Sequence, residues 1–104
     1  MVVHLIQLFL PLYDNDGQRF ERGLFDAVRC ELTERFGGAT AFLRTPALGE
    51  WADDAGEVQR DEVVLVEVMS EALDRGWWAG YRTELETRFR QDTVLIRAVQ
   101  VDML

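Results

Sequence analysis

Residues 2–13 alternate loosely among valine, leucine, isoleucine and phenylalanine and run into Tyr13-Asp14-Asn15-Asp16-Gly17. That cluster of turn and cap formers predicts a strand followed by a helix start. From Gln18 the apolar positions become Phe20, Leu24, Phe25, Val28, Leu32 and Phe36, which keep to one helical face until Gly37-Gly38 ends the run. Residues 39–45 read as a short strand, and Pro46 to Asp61, with Gly49, Gly56 and five acidic residues, as a long polar connection. Val63 to Met69 is a β-branched run bounded by charge, hence a largely buried strand. Ser70 is the predicted N-cap of a second helix, whose apolar face is Leu73, Trp77, Trp78, Tyr81, Leu85 and Phe89. Gln91-Asp92 breaks that helix, and Thr93 to Met103 is a final strand.

The order is therefore β-α-β-β-α-β. Right-handed crossovers turn it into a four-stranded antiparallel sheet with both helices on one face, an α+β, ferredoxin-like arrangement whose edge strands are the second and fourth. Strand alternation then assigns the face that the helices leave open. Val3, Leu5, Gln7 and Phe9 of the first strand point there, with Leu65, Glu67 and Met69 of the third and Leu95, Arg97, Val99 and Val101 of the last. Such a face is mostly apolar and exceeds the few hundred Å² that monomers usually expose. A second copy of the chain is the expected cover, giving a homodimer of the dimeric α/β-barrel type. The competing cover is the 46–61 connection.

Gln7, Glu67 and Arg97 share this open face, joined by Arg44 if Arg44 follows Phe42 in direction. Two readings of the cluster stand. It is a polar site in an apolar cavity, where arginine holds a carboxylate or phenolate, or it is a structural ion pair within a dimer interface. Register, which decides whether the residues stand at one height, is not readable from the chain.

Composition narrows the chemistry. The 104 residues suffice for one domain over 1–104. All eleven basic residues are arginine against nineteen acidic ones, a net charge of −8 that argues against nucleic acid or an anionic membrane as partner. Without lysine there is no Schiff-base chemistry and no P-loop lysine. One cysteine and one histidine exclude an intrachain disulfide and a zinc site of several Cys and His ligands, and no cofactor is expected. The apolar start, Met1 to Leu12, lacks the basic region and cleavage site of a secretory segment, and no window reaches the length of a membrane span. A cytoplasmic protein is expected.

His4 is the side chain whose ordinary pKa suits a general base, but alternation turns it to the helix side with Ile6 and Leu8. Cys30 lies opposite the apolar stripe of its helix, in solvent, with no base aimed at it. Trp77, Trp78 and Tyr81 fall at core spacing, whereas Trp51 sits in a polar connection that has no periodic reason for an indole, and so is a candidate contact to a ligand or a partner subunit. Asp53, Asp54, Glu57, Asp61 and Glu62 lack the alternating ligands of a calcium loop and read as a solvated acidic segment.

Gly49-Glu50-Trp51, Gly56 and Arg60-Asp61-Glu62 before a strand, with Arg88-Phe89-Arg90-Gln91-Asp92-Thr93-Val94 before the last strand, resemble a family of small bacterial ferredoxin-like proteins defined only as a domain of unknown function. The resemblance implies the fold and the dimeric α/β-barrel group, and brings no catalytic residues with it. Two functions remain open. One is a homodimeric module, non-catalytic or binding a small anionic or aromatic metabolite. The other is a cofactor-independent isomerase or monooxygenase using Arg97, Arg44 and Glu67, with His4 as a further candidate.

Overall fold

The computed structural model describes residues 2–44 and 62–104, with backbone alone for residues 43 and 44. The elements follow the expected order: β1 (Val2–Pro11), α1 (Arg22–Phe36), β2 (Thr40–Arg44), β3 (Val63–Ser70), α2 (Arg75–Arg88) and β4 (Leu95–Asp102). Every neighbouring pair is antiparallel in a four-stranded sheet of order β2-β3-β1-β4. The fold is the α+β, ferredoxin-like arrangement, with β2 and β4 at the edges.

Period-two alternation explains the layering. Ile6, Leu8 and Leu10 of β1 and Val64, Val66 and Val68 of β3 form one side of the core. Phe25, Val28 and Leu32 of α1 and Trp78, Tyr81 and Leu85 of α2 form the other. Phe89 is fully buried and meets Phe20 edge-on at 5.2 Å between ring centroids. Cys30 is exposed, as its helical phase requires.

Both helices start later than the apolar spacing predicts, for one physical reason. Side chains in the preceding loops hydrogen-bond to nearby backbone amides or carbonyls and hold those residues out of the helix. The Asp14 carboxylate accepts from the Asp16 and Gln18 amides at 2.9 and 2.8 Å, and Tyr13 bridges to Arg19 in extended pairing, so α1 begins at Arg22 rather than Gln18. Ser70 is not the cap of α2. Its hydroxyl donates to the Ala72 carbonyl at 2.7 Å, and Asp74 caps the helix by accepting from the Trp77 amide at 3.0 Å.

The helix ends are set by residues in left-handed backbone. Gly37 (φ 84°) closes α1, its amide bonded to the Thr33 carbonyl at 2.8 Å. Beyond α2 the corresponding position is Arg90 at φ 53°, with the Gln91 amide reaching back to the Glu86 carbonyl at 2.9 Å.

Candidate functional site

The open face of the sheet carries a polar row set by strand register. Gln7 stands opposite both Glu67 and Arg97, and Glu67 opposite Thr40, so one line of residues crosses all four strands. The Gln7 amide nitrogen donates to Glu67 Oε2 at 2.8 Å, and the Arg97 Nε donates to Gln7 Oε1 at 2.8 Å. Glu67 and Arg97 are therefore joined through a neutral amide rather than as a direct ion pair. The Arg97 guanidinium also lies over the Phe9 ring, 4.9 Å from its centroid.

This wiring leaves bonding capacity at both ends. Among the described residues Glu67 commits one carboxylate oxygen to Gln7, and Arg97 commits Nε and keeps its two terminal nitrogens. Beside Glu67 a cleft of about 530 Å³ opens at the turn from α1 into β2, walled by Leu5, Phe36, Phe42 and Met69 and reached by Thr40. An acceptor at one side of an apolar hollow, with a cation further along the same row, suits a small ligand with an apolar body and polar groups.

The other sequence candidates fall elsewhere. Arg44 pairs in register with Val63, four residues along β2 from Thr40, so its backbone stands away from the Gln7 row. His4 pairs with Ser70 and Gln100 on the helix side, and its Nδ1 is buried with no hydrogen-bond partner among the described residues. Trp51 and the acidic positions 53–61 lie outside the described residues. Thr40, absent from the sequence candidates, joins the row through register alone.

A second polar cluster, between the helices, also escaped the periodicity. Arg88 of α2 donates to both oxygens of Glu31 of α1, at 2.7 and 3.0 Å, and to Glu84 at 2.8 Å, while the Tyr81 hydroxyl donates to Glu31 at 2.9 Å. The Arg88 hydrogen bonds hold the Glu31 carboxyl below its usual range, against a smaller opposing effect of burial. Burial first, and then the bond to Glu31, push the Tyr81 phenol above its ordinary value. With donors and acceptors paired within the cluster, it reads as a clamp between α1 and α2.

No family model and no curated protein matches the chain. Among solved structures it is similar to a phage SAM lyase in complex with S-methyl-5'-thioadenosine, with a TM-score of 0.60 and 14% identity over 97% of this chain and 90% of that one. At that identity the likeness speaks for the fold. No helix among the described residues is long and apolar enough to cross a membrane.

Proposed function

We propose that the chain is a homodimeric module that binds a small metabolite at the open sheet face, with Glu67 and Arg97 as the polar contacts and Leu5, Phe42 and Met69 as the apolar walls. The observation that carries this reading is the Arg97–Gln7–Glu67 row, held in fixed orientation with its Glu67 end lining a cleft, and with donors and an acceptor left unused among the described residues. The dimer is supported by the surface itself. Phe42, Met69, Leu95 and Val99 expose 46, 51, 53 and 44% of their area on this face, a density of apolar groups that a second copy would remove from water.

Aromatic metabolites with several hydrogen-bond donors fit the Glu67 side best. S-methyl-5'-thioadenosine, which the similar phage enzyme binds, has this chemistry: a planar base with an amine, sugar hydroxyls and an apolar thioether. An enzymatic reading, as a cofactor-independent isomerase or lyase, assigns Glu67 as the base through its uncommitted oxygen and predicts turnover of the bound compound.

Thermal-shift titration with this nucleoside and with small aromatic acids tests the proposal. Binding at about a hundredfold excess over Kd adds about 2.7 kcal/mol, a rise of several degrees. The rise is expected in the wild type and, for the nucleoside, whose donors face the carboxylate, is expected to vanish in Glu67→Ala. A rise of equal size in Glu67→Ala, or none with any compound at millimolar concentration, overturns the proposal.

A further inference from the structure

A second groove, of about 510 Å³, lies on the helix side of the sheet where α1 meets the β2 edge, away from the polar row. Its apolar floor includes Phe20, Phe25 and Val64, and among the described residues its rim carries Arg19, Arg22 and Arg29 against a single carboxylate, Asp26. Three guanidinium groups and one acid make this a positive spot on a chain of net charge −8.

The arginines are not consumed by their neighbours. Arg22 and Arg29 approach Asp26 only at 3.8 and 3.6 Å, longer than hydrogen bonds, and their side chains are 89 and 48% exposed. Among the described residues Arg19 has no side-chain ion pair or hydrogen bond, while its backbone is fixed by the bridge to Tyr13 and by the Phe20 amide bonded to the Leu12 carbonyl at 3.0 Å. The nearby Asp14 carboxylate is committed to the Asp16 and Gln18 amides and to Arg90. Local energetics do not call for this grouping, because a guanidinium in the first turn of a helix opposes the helix dipole and the cations repel one another.

We propose that this groove binds a small amphipathic monocarboxylate, its headgroup held by Arg19 and Arg29 and its aliphatic or aromatic tail laid on Phe20 and Phe25. A guanidinium fork matches the planar carboxylate, and the retained Asp26 charge disfavours a doubly charged headgroup. The site shares the ring of Phe42, at the β2 edge, with the cleft beside Glu67, and uses none of the residues of the polar row.

The test is an amide-resolved NMR titration of the full chain with octanoate, in parallel with octanol, acetate and inorganic phosphate. Octanoate is expected to give saturable shifts at Phe25, Ala41 and Val64, with the dissociation constant raised about tenfold or more in the double variant Arg19→Gln, Arg29→Gln and unchanged in Glu67→Ala. Both arginines are exposed, so the double variant is expected to keep the wild-type spectrum elsewhere. Equal binding of octanol would reduce the groove to an apolar surface, and equal binding of acetate or phosphate to a simple anion site. Either result overturns the proposal, as does octanoate binding undiminished in the double variant or absent at about 10 mM.

Discussion

Replacing Arg88 by methionine keeps the apolar stem of the side chain and removes the guanidinium that joins α1 to α2. The wild-type group makes three charged hydrogen bonds, two to Glu31 and one to Glu84, from a position only 19% exposed. Its loss leaves the Glu31 carboxylate with the Tyr81 hydroxyl and with water. Breaking a fully buried pair costs about 3–5 kcal/mol and an exposed one about 0.2–1. Glu31 is 41% exposed, so water takes up much of the orphaned charge and the expected cost falls between these limits, about 1.5–2 kcal/mol. For a chain of this length that lowers Tm by roughly 6–10 °C. The deficit also depends on pH. The Glu31 carboxyl is held below its ordinary value in the folded state, so the unfolded chain binds more protons in the acid range. The clamp therefore contributes fully at neutral pH and fades as the pH falls through the carboxyl range. Urea unfolding followed by circular dichroism at about pH 7 and about pH 3 measures both effects. A deficit under about 0.5 kcal/mol at neutral pH, or one of equal size in acid, would refute the account of the clamp.

Tyr81→Phe removes one bond to the same carboxylate and is expected to cost about 1 kcal/mol in the same assay. Sedimentation of the wild type at micromolar concentration is expected to show a dimer, and Val99→Arg, at an exposed position of β4, a folded monomer; a Val99→Arg dimer of unchanged affinity would remove the open face from the interface. Arg97→Met is expected to change stability by less than about 1 kcal/mol, because its side chain is exposed and bonds a neutral amide; a larger loss would indicate a structural rather than a binding role. Arg90→Val forces a β-branched residue into φ 53° and is expected to cost about 1–2 kcal/mol more than Arg90→Gly, read by thermal unfolding.

Much of the fold is legible in the chain because two periods govern it. Alternation in 63–69 and the three-to-four spacing from Phe20 to Phe36 each allow one partition into inside and outside, and the core between sheet and helices follows both, although Leu65 and Val3, assigned to the open face, are buried as well. Helix starts are less legible because caps compete. Ser70 precedes the whole second apolar stripe and Asp74 follows its first member, Leu73, and only the loop geometry, which turns the Ser70 hydroxyl to the Ala72 carbonyl, leaves the cap to Asp74. The Glu31–Arg88 pair is beyond periodicity altogether, since it joins positions 57 residues apart through the rotational phase of one helix on another.

The site lies between these cases. Alternation places Gln7, Glu67 and Arg97 on one face but says nothing of their height along it, because a slip of two residues preserves every face while breaking every cross-strand pair. The observed register aligns these three and sets Arg44 opposite Val63 instead. Had Glu67 and Arg97 stood side by side, each would have satisfied the other. The intervening amide of Gln7 orients both without neutralising either, binding the carboxylate with its nitrogen and the guanidinium with its oxygen. Two opposite charges kept apart across one strand, on a face that is otherwise apolar, are an arrangement that folding alone does not require and that a ligand with polar groups can complete.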